Sequence, residues 1–381
     1  MNTMEKKRAL FLTGTRADYG KLKPLISALE NDPRFEASVF VCGMHLSETF
    51  GSTYNEVIND GYKNVYAAFG LSQTQNQCVN LGNTICCLSG YVENTKPDII
   101  VVHGDRMDAL AGAIVGALNN IIVAHIEGGE LSGTIDDSIR HAISKFAHVH
   151  FVCNEDARKR LIQLGEEEKR IYVIGSPDID IMMSKKLATL QEVKDRYGIK
   201  FNNYGILMYH PVTTEYDCVG RNIKAVVDAV IESEQNFIVV FPNNDLGSEV
   251  ILNEYKRFTN NPRCVVYPSL RFEYFLTLLK NADLILGNSS AGIRESGIYG
   301  IPAIDIGTRQ SRRYSCHTAS NIQHVNEDSN TILAAIRSSQ NYRFSAFLYG
   351  DGNSTERFHN TLTSLDFWQT DIQKHFIDYD V

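Results

Sequence analysis

Long apolar runs are missing from this 381-residue sequence, and so is any surplus of positive charge. No stretch approaches the roughly 20 apolar residues that a membrane helix needs. The basic residues at the start precede only the short run Ala9–Thr13, and charged Arg16 and Asp18 follow at once. That run is too short for a signal peptide and reads as a first buried β-strand. With 37 Lys+Arg against 45 Asp+Glu the net charge is 37 − 45 = −8, and residues 1–177 and 178–381 carry −4 each. No basic tail or stripe is present, which excludes nucleic acid and anionic membranes as partners. A small anion is not excluded, because local cations and helix ends bind it against the mean field. The eight cysteines (Cys42, Cys78, Cys86, Cys87, Cys153, Cys218, Cys264, Cys316) form no C-x-x-C pair and no metal-finger spacing. They read as reduced and buried, which points to the cytoplasm.

What is present is an ordinary globular balance, 43% apolar and 22% charged, over a length that suits two or three domains. Short, continuous, β-branched runs alternate with helical patterns. The first series is Ala9–Thr13, Ala37–Cys42, Ile99–His103, Ile121–Ile126, Val149–Cys153 and Ile171–Ile174. The second is Gly205–Tyr209, Phe237–Phe241, Cys264–Tyr267, Leu284–Leu286 and Ala303–Ile306. Such runs predict strands covered on both faces, and their alternation with helices predicts doubly wound parallel α/β sheets. Two series predict two Rossmann-like domains, 1–177 and 178–360, with a break near Gly175-Ser176-Pro177-Asp178 and a polar helix over Ser184–Arg196. The tail from Ser354 reads as helical, and residues 361–381 are expected to pack back on the first domain. Ligands of open α/β sheets lie beyond the carboxyl ends of the strands, so the expected site is a cleft between the two domains.

Five stretches follow strands. Gly14-Thr15-Arg16-Ala17-Asp18 is a glycine turn before a helix starting near Tyr19. It offers backbone N–H groups and a cation to an anion, or else is an ordinary turn with Asp18 as N-cap. It is not G-x-G-x-x-G, and the G-x-x-x-x-G-K-[ST] phosphate loop occurs nowhere, so nicotinamide dinucleotides and P-loop chemistry lose their sequence support. In His103-Gly104-Asp105-Arg106-Met107-Asp108 an Arg in the first helical turn opposes the helix dipole, which favours a site over a cap. His125-Ile126-Glu127-Gly128-Gly129-Glu130 runs on to Gly133-Thr134-Ile135-Asp136-Asp137 and Arg140-His141. There Asp105, Glu127 and Asp136 form a carboxylate trio suited to acid/base work on a sugar-like substrate. His141, His148 and His150 have no recognised metal-ligand spacing, and no metal is expected. In the second series, His210 of Tyr209-His210-Pro211 is either structural or functional. Gly287-Asn288-Ser289-Ser290-Ala291-Gly292-Ile293-Arg294-Glu295 suits a phosphate at a helix start, and lacks the nucleophile-elbow spacing. Glu295 could accept ribose hydroxyls, and Gly307-Thr308-Arg309-Gln310 supplies another cation. Phe272, Tyr274 and Phe275 are counted as core.

Taken in order, Gly14–Gly20, His103–Leu110, His125–His141, His210–Thr214, Gly287–Glu295 and Gly307–Gln310 closely resemble the hydrolysing UDP-N-acetylglucosamine 2-epimerases of bacterial sialic-acid synthesis. The likeness runs to Ser354-Thr355-Glu356-Arg357-Phe358. It implies a glycosyltransferase-B-like fold and conversion of UDP-GlcNAc and water to N-acetylmannosamine and UDP without an organic cofactor. It assigns cation stabilisation and acid/base duty to Asp105, Glu127 and Asp136, in an order left open. It gives the pyrophosphate to Arg16, His210, Ser289, Ser290 and Arg309, the ribose to Glu295, and the sugar or the acid/base set to Arg106 and His45. It also implies a homodimer, further paired into a tetramer in some members. Three alternatives stand beside it: the same chemistry on UDP-2,4-diacetamido-2,4,6-trideoxyglucose, a non-hydrolysing epimerase, and a glycosyltransferase. A non-catalytic nucleotide-sugar sensor is the reading of a different class, and the intact carboxylate trio argues against it.

Overall fold

The computed structural model describes residues 6–48, 51–69, 76–132, 135–184, 187–243, 245–311, 313 and 321–378; Gly133, Thr134 and Cys316 lie outside these. Among the described residues thirteen strands form two parallel sheets. The first holds β1 (Lys7–Thr13), β2 (Phe35–Val41), β3 (Val65–Ala67), β4 (Ile99–His103), β5 (Ile122–Ile126), β6 (Val149–Val152) and β7 (Ile171–Val173) in the order β3-β2-β1-β4-β5-β6-β7. The second holds β8 (Gly205–Met208), β9 (Phe237–Val240), β10 (Cys264–Tyr267), β11 (Leu284–Gly287), β12 (Ala303–Ile306) and β13 (Ile322–Val325) in the order β10-β9-β8-β11-β12-β13. Each order reverses once, between β1 and β4 and between β8 and β11. Those reversals are the switch points where an open sheet leaves a crevice.

β1 shows why the runs are continuous rather than alternating. Ala9 and Phe11 pack with Leu22, Leu25, Ile26 and Leu29 of the helix Arg16–Glu30. Leu10 and Leu12 enter a separate cluster with Ala109 and Ala113 of the helix Met107–Leu118. Successive side chains of a strand face opposite ways, so a sheet covered on both faces needs apolar residues at every position. The second sheet has a comparable core around Ile223, Val227, Val239 and Leu286.

Two compact units result: Met1–Glu130 with Ile135–Met183 and Tyr349–Val381, and Leu131–Thr134 with Ser184–Leu348. The chain thus leaves the first unit at Met183, six residues after the expected break. It returns at Tyr349 rather than 361. The returning helix is Ser354–Thr363, and the rest of the tail is not a long helix. Phe358 anchors the return, buried against Phe151 with ring centroids 4.9 Å apart and against Phe11 at 6.4 Å. The short strands β3 and β13 escape the sequence reading. The polar helix after the break starts at Leu190, capped by Thr189 and Glu192, and ends at Tyr197. Cys42, Cys153 and Cys264 are buried, but Cys78 and Cys86 are exposed on the helix Gln77–Thr95, so burial does not describe all the thiols. Of the three aromatics counted as core, only Phe275 is buried. Tyr274 instead lies beneath the guanidinium groups of Arg196 and Arg271. Among the described residues no helix is long and apolar enough to cross a membrane.

The end of the first sheet opposite the switch-point crevice carries a buried ionic cluster. Glu166 accepts hydrogen bonds from His150 Nε2 (3.0 Å) and is paired with Lys145 (2.8 Å) and Lys374. Burial pushes its carboxyl up, but the His150 hydrogen bond and the two lysines outweigh this and hold it down to about 2. Burial lowers the pKa of His150, while its bond to Glu166 works against that shift.

Two tests follow from this packing. Phe358→Ala should cost about 3–5 kcal/mol of stability, seen as a lower denaturant midpoint at unchanged slope. A depressed carboxylate stabilises the fold above its unfolded pKa and loses that contribution as pH falls toward its folded value. Wild-type stability should therefore decline between about pH 5 and pH 2, and Glu166→Gln should flatten that decline in acid titrations followed by circular dichroism.

Candidate active site

At the β1 switch point the glycine turn is already filled by its own chain. Thr15 is the N-cap of the helix Arg16–Glu30 and Asp18 sits three positions on, in a capping box, so Asp18 is not the N-cap. Its carboxylate accepts the Gly14 N–H (3.0 Å), the Thr15 N–H (3.0 Å) and the Thr13 hydroxyl (2.7 Å). The N–H groups expected to greet an anion are thus taken by a resident carboxylate. Arg16 turns to Glu56, with Nε 3.1 Å from Oε2. His45 is wholly buried, with Nε2 2.9 Å from the Thr13 hydroxyl and Nδ1 2.6 Å from the Thr53 hydroxyl. Because Thr13 donates to Asp18, His45 Nε2 is the donor to Thr13 and Nδ1 accepts from Thr53. Burial lowers its pKa to about 4, and both ring nitrogens are engaged, which fits a positioning role rather than sugar contact. Asp108 lies directly beneath this turn: a Cβ on Gly14 would come within 2.1 Å of its carboxylate. Burial, with Asp18 nearby, raises Asp108 to about 6.

The expected carboxylates Asp105 and Glu127 emerge at the ends of β4 and β5, with Arg140 and Lys21 beside them. Asp105 contacts Arg140, which is 3% exposed on the helix Asp136–Phe146. The same guanidinium reaches Asp137 Oδ1 (3.2 Å) and the Glu130 carbonyl (3.2 Å). Burial disfavours its charge, yet Asp105, Glu130, Asp137 and Asp136 together raise its pKa. Glu127 is 5% exposed and adopts φ +63°, a left-handed backbone that costs a non-glycine residue about 1 kcal/mol or more and recurs at functional sites. Its carboxylate meets Lys21 (3.1 Å), His103 Nε2 (3.1 Å) and the Ser176 hydroxyl, and Lys21 also reaches Asp178 (3.3 Å). Asp136 occupies the first turn of the helix that carries Arg140, and Arg106 is the N-cap residue of the helix Met107–Leu118.

Three histidines of this domain, His125, His148 and His150, serve the scaffold. His125 donates and accepts through Gly104 O (2.8 Å) and the Ser144 hydroxyl (3.1 Å), and burial lowers it to about 3. His148 Nδ1 accepts the Val123 N–H, and His150 pairs with Glu166. A different trio, Glu127, Glu130 and Cys153, brings potential ligand atoms within 4.8 Å of one another. Lys21 already supplies a cation to Glu127 there.

In the second domain Asn288 braces the loops around the switch point. Its side chain accepts the His210 N–H (2.7 Å) and donates to the His210 carbonyl (2.8 Å), while its own carbonyl receives Arg309 (3.1 Å) and Gln310 (2.8 Å). Gly287 before it adopts φ +132°, and a Cβ there would sit 2.0 Å from the Met208 carbonyl. The chain must therefore pass this point as glycine. The Asn243 N–H donates to His210 Nδ1 (3.0 Å), so in the neutral ring the proton rests on Nε2. Ser289 Oγ accepts the Ala291 N–H at 3.3 Å, Ser290 is the N-cap residue of the short helix Ala291–Arg294, and Glu295 is buried just beyond it.

The structure thus groups Asp105 and Glu127 with their cations in one unit and His210 and Arg309 around Asn288 in the other. Lys21, Ser176, Asp178, Arg140 and Asn288 were not assigned site roles from sequence. For Arg140 a signal existed, since it lies one turn after Asp136 on the same predicted helix. For Lys21 none did.

Comparison with known proteins agrees in fold and family. Residues 27–363 match the family model described as UDP-N-acetylglucosamine 2-epimerase. The chain is 48% identical to a UDP-N-acetylglucosamine 2-epimerase of Neisseria meningitidis, over 98% of this chain and 99% of that protein. It is 32% identical to a hydrolysing UDP-N,N'-diacetylbacillosamine 2-epimerase of Legionella pneumophila (94% and 96% covered). It is also 29% identical to the polysialic acid biosynthesis protein P7 of Escherichia coli (91% and 90%). A crystal structure of a UDP-GlcNAc 2-epimerase from Neisseria meningitidis bound to UDP-GlcNAc matches at TM-score 0.80 and 20% identity, over 93% of this chain and 99% of that one. Two doubly wound parallel α/β domains of the glycosyltransferase-B type carry the matched sequence, and the chain belongs to the UDP-N-acetylglucosamine 2-epimerase family.

Proposed function

We propose that the chain is a hydrolysing 2-epimerase that converts UDP-GlcNAc and water to N-acetylmannosamine and UDP, and that it feeds sialic-acid synthesis. The observation that carries the chemistry is the pair of carboxylates Asp105 and Glu127 at the ends of neighbouring strands, the first held by buried Arg140 and the second by half-buried Lys21. The pathway reading is supported by the name of the Escherichia coli relative, and the hydrolysing reading by that of the Legionella relative.

The C2 proton of the sugar is only weakly acidic, so direct abstraction is slow. Breaking the C1–O bond to UDP first places oxocarbenium character at C1 and acidifies C2–H. A carboxylate of the set Asp105, Glu127 and Asp136 then removes that proton, leaving 2-acetamidoglucal. Water adds at C1 and a proton returns to C2 on the opposite face, which gives the manno product. Asp105, Glu127 and Asp136 act as one coupled set. Arg140 and Lys21 keep charge from being stranded within it. Arg106 lies beside Asp105 in sequence and is assigned to the sugar. His210, with Nε2–H as donor, joins Arg309, Ser289 and Ser290 in holding the pyrophosphate and stabilising departing UDP, and Glu295 takes the ribose. Arg16 is assigned to the pyrophosphate with less geometric support, because Glu56 holds it. No organic cofactor and no metal takes part, and the active form is a homodimer in the cytoplasm.

A second reading is favoured by the Legionella relative: the same chemistry on UDP-2,4-diacetamido-2,4,6-trideoxyglucose. Proton NMR of products formed in deuterated water from each UDP-sugar decides between them. Free UDP with a deuterium at C2 of N-acetylmannosamine is the expected outcome; a UDP-linked mannosamine product identifies a non-hydrolysing enzyme instead. Asp105→Asn and Asp136→Asn should each lower kcat by roughly 10²-fold or more. UDP release at near wild-type rate from both would remove the trio from the mechanism. Arg309→Met should weaken UDP binding by roughly tenfold in calorimetry, from loss of a charge-assisted contact.

A further inference from the structure

We infer that the C-terminal segment 370–378 is a strap that positions the helix Asp136–Phe146, with Lys374 as its positioning residue. The inference rests on the reading above, in which that helix carries Asp136 and the Arg140 that holds Asp105.

A helix ends with backbone carbonyls that lack an intrahelical partner, and a cation there also suits the helix dipole. At the end of this helix one side chain meets that need from more than 220 positions away. Lys374 Nζ donates to the carbonyls of Ala147 (2.6 Å), Lys145 (3.0 Å) and Ser144 (3.2 Å) and pairs with Glu166. A second tie lies beside it: His148 Nδ1 accepts the Val123 N–H, so its Nε2 donates to the Ile372 carbonyl at 3.0 Å.

The strap is not there to bury apolar surface. Phe376 is 88% exposed and Ile372 39% exposed, so the contacts that order it are polar and converge on one helix end. From that end the connection to the site is short. The Ser144 hydroxyl bonds His125 Nδ1, and His125 Nε2 bonds the Gly104 carbonyl, next to Asp105. One turn earlier, Arg140 contacts Asp105 itself. A slip of the helix along its axis would move Asp136, Arg140 and Asp105 together. Reacting groups displaced by about 1 Å lose on the order of 10²-fold in rate.

The test compares Lys374→Met, Lys374→Arg and a chain ending at Gln369 with the full-length protein. Lys374→Met and the truncation should lower kcat about tenfold while UDP affinity stays within about twofold, because the proposed UDP contacts other than Arg16 lie in the other domain. Amides of residues 136–141 should exchange at least several-fold faster, and Lys374→Arg should recover most of the rate. Unchanged exchange at 136–141, or a kcat loss that only follows the unfolded fraction, overturns the strap. If the Met variant does not fold, the same measurements on Lys374→Gln decide. Failure of the hydrolysing reading is separate: wild-type protein would then release no UDP, and the exchange comparison would still judge the strap.

Discussion

The contact between Arg140 and Asp105 ties together the parts of the first domain from which the candidate site is built. Removing a guanidinium from water costs several kcal/mol unless every nearby partner is in place. The partners of Arg140 come from the end of β4, the end of β5 and its own helix. These three segments are therefore fixed relative to one another. Lys21 repeats the arrangement one strand over, joining Glu127 to Asp178 and bringing the helix Pro177–Met183 after β7 into the same cluster. Neighbouring carboxylates that would repel one another are thus each paired with a cation that belongs to the fold.

The second domain solves a similar problem with a neutral group. Asn288 uses its amide on both faces of the His210 peptide and its carbonyl on Arg309 and Gln310. An amide can donate and accept at once, which an aspartate in its place could not do. Its position depends on Gly287, the only residue type that can follow this backbone path past Met208. The cluster in the second domain thus rests on one side-chain amide and its own backbone carbonyl, while the cluster in the first rests on ion pairs.

Much of this was legible in the sequence. Both sheets follow from continuous β-branched runs, because strands buried on two faces have no polar positions to blur them. Strands β3 and β13 went unseen because both lie at sheet edges, where Tyr66 and His324 are exposed and the apolar signal is diluted. Asp105, Glu127 and Asp136 stood out through glycines and strand ends. Their cations did not, because Lys21 and Arg140 sit mid-helix, where basic residues usually face water. His45 and Arg16 show the opposite case. Both follow a strand end, but local partners absorb them: two threonines for His45 and Glu56 for Arg16.

The turn after β1 has one more consequence. A glycine turn at a helix start ordinarily attracts phosphate, yet here Asp18 occupies the Gly14 and Thr15 N–H groups and Asp108 lies just beneath. A phosphate approaching it would find donors in use and negative charge behind them. The turn therefore works as a filter of charge, closed to anions by carboxylates of its own chain.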